Sequence, residues 1–100
     1  MPIETTTVHY LIKKIQVGSM EDRLAVAFRV EDSSPDRVEL DYWAVLTPDE
    51  SVPSFTFTTQ EGNEIVLSTK KPTTVSVDDA RKLWYVLFDQ GWILHKSKRV

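Results

Sequence analysis

The chain has 100 residues, 41% of them hydrophobic and 27% charged, with a formal net charge of −3 and no cysteine. That length bounds one domain with a modest core, and the missing thiols exclude disulfides, thiolate catalysis and cysteine-bound zinc. No apolar run reaches membrane-spanning length, and the opening MPIETTTVHY lacks the basic-then-apolar order of a signal peptide. A single cytoplasmic domain over residues 1–100, with no membrane partner, is the expectation.

The first run, Thr5 to Val17, is rich in threonine and β-branched residues and reads as a strand. Its facing has two solutions. Val8, Tyr10 and Ile12 point inward if a bulge near Lys13–Lys14 brings Ile15 and Val17 to the same side. Without a bulge, Leu11, Ile15 and Val17 form the inner face and His9 lies with them. Gly18 to Asp22 reads as a hairpin loop. The next run alternates cleanly: Leu24, Val26, Phe28 and Val30 against Ala25, Ala27, Arg29 and Glu31. One packed face and one face of small or charged residues is the pattern of a half-covered sheet.

Asp32 to Asp36 is a turn cluster around Pro35. A third strand follows, with Val38, Leu40, Tyr42, Ala44 and Leu46 inward. Arg37, Glu39 and Asp41 face outward, and then so do Trp43 and Val45. An outward tryptophan beside an acidic row predicts either a second covering layer, the commoner case, or a partner. Thr47 to Pro53 reads as an exposed loop. Phe55 and Phe57 alternate with threonines, a Gln60–Glu64 turn containing Gly62-Asn63 follows, and Ile65 and Leu67 continue the strand beyond it. Thr69 to Thr74 reads as the lead-in to a helix.

That helix lies within Val75 to Trp92. Ser76 is placed as N-cap, with Asp79 positioned to return the bond in a capping box. Asp78 and Asp79 complement the helix dipole, and Gly91 is placed to close the helix in the left-handed conformation. Val77, Ala80, Leu83, Trp84, Leu87 and Phe88 fall in one apolar arc, with Tyr85 and Val86 on its flanks. Trp92 to His95 fits a short last strand, and residues 96–100 read as a frayed basic tail. The predicted fold is α+β: an antiparallel meander of about five strands with one C-terminal amphipathic helix on one face.

The inventory for catalysis is thin. His9 and His95 are the only histidines, and two histidines without a spaced carboxylate make a poor metal site. No P-loop, dinucleotide-binding, HExxH or GxSxG pattern occurs. No catalytic, cofactor or metal residue is assigned, and an enzyme is not expected.

Charge points to a partner instead. Residues 31–50 hold seven acids, Glu31, Asp32, Asp36, Glu39, Asp41, Asp49 and Glu50, against Arg37 alone. The local charge is −6, leaving +3 elsewhere, an asymmetry that favours a charged partner or head-to-tail self-association, while an uncovered edge strand would allow a homodimer. The leading expectation is an accessory or regulatory module that binds a larger protein through Glu39, Asp41, Trp43, Tyr85, Val86 and Trp92, since aromatics dominate binding hot spots. The alternative is single-stranded nucleic-acid binding through Lys13, Lys14, Lys70, Lys71, Trp92, Lys96, Lys98 and Arg99. There the cations would hold phosphate and the ring would stack a base.

Overall fold

The computed structural model describes residues 5–59 and 61–99. In chain order the elements are β1 (Thr6–Val17), β2 (Met20–Glu31), β3 (Arg37–Ala44), β4 (Phe55–Thr58), β5 (Glu64–Leu67), β6 (Thr73–Ser76), α1 (Val77–Asp89) and β7 (Ile93–Arg99). The protein is α+β: a five-stranded antiparallel sheet in the order β6-β3-β2-β1-β7, a small β4–β5 sheet, and one helix packed before the last strand.

β1 and β2 pair along their whole length, from Thr6↔Glu31 to Val17↔Met20. Only Gly18 and Ser19 separate them, and Gly18 has φ +62, as the first central residue of a type II′ turn requires. The predicted hairpin loop therefore shrinks to two residues. The register has no bulge, so the uninterrupted facing holds: His9 lies across from Phe28 and Leu11 across from Val26. Tyr10 and Ile12, opposite Ala27 and Ala25, take the other face. Beyond Leu24 and Ile12 neither β3 nor β7 continues the ladder; the segment after β3 still bonds Arg23 and Asp22, and past them β1 and β2 extend as a two-stranded ribbon.

The five strands of the main sheet are not the five consecutive runs expected. β4 and β5 pair only with each other, Phe55↔Leu67 to Thr58↔Glu64. Their place beside β3 is taken by β6, where Val38↔Val75 and Leu40↔Thr73 are partners. Gln60, within the predicted β4–β5 turn, lies outside the described residues; Gly62 in that turn has φ +88. Residues 96–99 are not a frayed tail but part of β7, paired to β1 from Thr7↔Arg99 to Ile12↔Ile93. Their backbone groups gain ladder partners there, which a solvated terminus lacks. Val100 lies outside the described residues.

The helix crosses one face of the sheet, from the β6 edge to the β7 edge, with the β4–β5 hairpin beside it. One core joins all three. Leu11, Val26, Phe28, Leu40 and Tyr42 come from the sheet. Leu83 and Leu87 come from α1, and Ile65 and Leu67 from β5. Burying each such side chain fully stabilises by about 1.5–3 kcal/mol before entropy is counted. The caps place the helix. Ser76 Oγ accepts from the N–H of Asp79 at 3.2 Å, and the N–H of Val77 donates to Asp36 O at 2.9 Å.

The other end closes in a Schellman motif. Gly91, at φ +94, donates to Phe88 O at 3.1 Å, and Trp92 N–H donates to Leu87 O at 3.0 Å. This motif carries an apolar contact from the residue after the glycine back to the last turn. Trp92 and Leu87 supply it, both within the core.

Candidate binding surfaces

Among the described residues no helix or hairpin covers the opposite face of the sheet. Register places Ala25 beside Trp43, Ala27 beside Tyr10 and Asp41, and Arg29 beside Glu39 on this open face. Ala25 and Ala27 are nonetheless buried, because the rings of Tyr10 and Trp43 meet edge-on above them with centroids 6.3 Å apart. Trp43 is half-buried. Its predicted covering layer is therefore another surface side chain, Tyr10, and part of the indole stays in solvent. The alanines explain this edge-on contact, since larger residues at 25 and 27 would hold the rings apart.

Trp43 forms the wall between two shallow clefts. One, of about 240 Å³, also includes Tyr10, Arg23, His95 and Lys96; the other, of about 280 Å³, includes Asp41 and the Ser68–Pro72 turn with Lys70 and Lys71. The register of β7 shifts opposite Tyr10 and Leu11, leaving His95 as the extra residue, so His95 and Lys96 both lie at this face. Lys96 Nζ stands 5.2 Å from the centroid of the Tyr10 ring.

The acidic row is less free than its sequence implies. Arg29 Nη1 lies 3.0 Å from Glu39 Oε1 and 3.7 Å from Asp41 Oδ2, so one guanidinium serves both acids. Glu39, Asp41 and Trp43 thus share the open face with a compensating cation between them. Tyr85 and Val86 do not join them. They lie on the helix layer, lining a cleft of about 380 Å³ with Phe57, Thr58 and Lys82. Tyr85 is 64% exposed. Nearby, Lys82 Nζ donates to Glu61 Oε1 at 2.6 Å, which lowers the Glu61 carboxyl and raises the Lys82 ammonium from their usual ranges.

Trp92 must be withdrawn from both predicted sites. It is 5% exposed and packs in the core as the apolar anchor of the helix end, so its ring faces neither a partner nor a base. The predicted cations also scatter. Lys14, Lys96 and Lys98 fall on the open face by register, Lys13 on the other, and Lys70 and Lys71 in the β5–β6 turn. Arg99 Nη2 pairs with Asp32 Oδ2 at 3.3 Å.

Two features escaped sequence reasoning. Asp22, assigned to a hairpin loop, is 1% exposed. Its carboxylate accepts from the N–H groups of Arg23, Leu46 and Thr47 at 2.7–3.0 Å and from the Thr47 hydroxyl. The Thr47 hydroxyl is the main cause, and the three amides add to it, of a pKa held down to about 2 against the pull of burial. The second feature joins β1 to β7: His9 Nδ1 and Ser97 Oγ share a 2.7 Å hydrogen bond across 88 residues of sequence. A base beside a hydroxyl is the start of an activated nucleophile. The imidazole's aromatic neighbour, however, is Trp84 at 5.9 Å, a ring that cannot orient its proton as a carboxylate would.

Among the described residues no group of three or more His, Asp or Glu side chains is placed to hold a metal ion. No described helix is long and apolar enough to cross a membrane. No family model, curated protein or solved structure matches the chain.

Proposed function

We propose that the protein is a non-enzymatic accessory or regulatory module that docks a larger protein on the open face of its sheet. The observation carrying this reading is the half-buried Trp43, packed edge-on against Tyr10 and shared between two clefts. A rigid aromatic pair with mixed charge around it, Arg29 with Glu39 and Asp41 on one side and Lys96 on the other, has the composition of an interface hot spot with a polar rim. Both signs of charge close to the rings favour a protein surface as partner, since a polyphosphate would meet Glu39 and Asp41 at the stacking platform.

The test is affinity capture from extract of the source cell, followed by titration of the purified partner. Trp43→Ala and Tyr10→Ala are each expected to weaken binding at least about tenfold, the loss of a hot spot of roughly 1.4 kcal/mol or more. Glu39→Gln with Asp41→Asn should slow association in low salt, and Tyr85→Ala should leave both unchanged. Retention of full affinity by the Trp43→Ala protein, folded by circular dichroism, would reject the open face as the docking surface.

One observation favours the nucleic-acid reading: Lys96 and Lys98 sit with Tyr10 on the same face. That reading predicts retention on single-stranded DNA that falls steeply with salt. It also predicts a gain, not a loss, on neutralising Glu39 and Asp41.

A further inference from the structure

A second kind of cavity lies on the helix side, away from the open face. It is a groove of about 400 Å³ between the first half of α1 and the sheet. Phe28, Val30 and Val38 form the floor, Val77, Ala80 and Trp84 the helix wall, and Leu94 with Ser97 the β7 wall. The gap has a simple origin. Where α1 starts, valine and alanine face the sheet, whereas the following turn fills the space with Leu83 and Leu87. The aromatic wall is preset: Trp84 meets Phe28 edge-on at 5.1 Å and His9 at 5.9 Å, with Phe88 bracing it at 5.2 Å.

The polar groups at this groove share one character. Of its ten lining residues none is acidic, while Arg81, His9 and Ser97 supply a cation, an imidazole and a hydroxyl. His9 and Ser97 are already bonded to each other, which holds both at the β1–β7 side. Among the described residues the ion pair of Arg81 is a long 3.9 Å contact with Asp78, with both side chains well exposed, so the guanidinium can turn to a ligand at the mouth. An apolar trough of this volume with a few convergent donors is the form of a small-molecule site, and a guanidinium recognises a carboxylate in two-pronged fashion.

We propose that this groove binds a small apolar organic acid, its aliphatic or aromatic body along Phe28, Val30 and Trp84 and its carboxylate at Arg81. The site is independent of the docking surface argued above. No covalent step is involved: the acid is held by burial of its body and by the charge-assisted bonds of its head.

Octanoate is the probe, with octan-1-ol as the neutral control, followed through the indole N–H signals of the ¹⁵N-labelled full chain. Saturable movement of the Trp84 signal with octanoate, while the Trp43 signal stays still, is the expected result. Arg81→Gln should weaken octanoate about tenfold, the worth of one charge-assisted contact, and leave octanol unchanged. Leu94→Glu, at a position already 48% exposed, places an acid at the mouth without disturbing the core and should weaken octanoate at least as much. No saturable shift at Trp84, equal affinity for octanol, or indifference to both substitutions in folded variants would overturn the proposal.

Discussion

Replacing Trp92 with alanine separates the two roles that its sequence context permits. A partner-binding tryptophan on the surface would leave stability within about 0.5 kcal/mol of the parent. The structure instead puts Trp92 5% exposed, packed on the helix end and tied to Leu87 O through its own backbone N–H. Truncating a buried tryptophan costs about 3–5 kcal/mol, part lost transfer energy and part cavity. Against a total stability of roughly 5–15 kcal/mol, that removes a large share. With a urea m-value near 2 kcal/mol/M, the midpoint should fall by about 2 M. Far-UV circular dichroism is the suitable probe, because the substitution removes a fluorophore. A midpoint within about 0.3 M of the parent would refute the burial argument and with it the Schellman anchor.

Three further outcomes follow from other elements. Asp22 has a folded pKa of about 2 against an ordinary 3.8, so its contribution is fully present above the ordinary value and is lost as pH falls from about 4 through about 2. Thermal midpoints recorded across that window should drop for the parent more than for Asp22→Asn, and parallel curves would show that the carboxylate is not held as described. Gly91→Ala keeps the apolar contacts but forces a Cβ into φ +94; with nothing within 4 Å of that Cβ, the cost is backbone strain alone, about 1–2 kcal/mol by thermal melting. An unchanged melting temperature would mean the helix end closes in another way. On the edge strand β7, Lys96→Thr with Lys98→Val removes charges that oppose edge-to-edge pairing. Light scattering should then show concentration-dependent association beyond the parent's, and identical mass at all concentrations would count against that role.

The legible parts of the fold were those with a local cause. The cap at Ser76, the glycine at 91 and the alternation from Leu24 to Val30 each follow from neighbours in the chain, and each is where the pattern put it. The illegible parts depend on partners far away. Phe55 and Phe57 alternate as well as any strand, yet nothing local says whether they join the main sheet or pair with β5 alone. Thr73 to Ser76 is too short and too polar to announce a strand, and becomes one because Val38 and Leu40 offer it a free edge. The basic residues after Leu94 look like a solvated terminus until β1 supplies their ladder. The surface followed the same rule. Glu39, Asp41 and Trp43 were placed together by strand alternation, but Tyr10 joined them only through the unbroken register of β1 with β2.

The buried carboxylate and the half-buried aromatic pair are linked through the chain, which bears on the proposed docking surface. β3 ends at Ala44, and the three residues that follow are fastened to the β2 side of the sheet: Val45 N–H donates to Arg23 O, and Leu46 and Thr47 donate to Asp22. Trp43 therefore sits two residues ahead of a clamped segment, across from Ala25, and its position above that alanine is set from both strands. A surface held this way loses little side-chain freedom on association, and preorganisation of that kind contributes affinity without any new contact. Asp22→Asn keeps the shape of the side chain but weakens the acceptor, so β3 should fray toward Trp43. Partner binding should then weaken through slower formation and faster loss of the complex, although residue 22 is itself buried. If affinity is unchanged while the melting temperature falls, Trp43 is held by Tyr10 alone and the clamp serves only the fold.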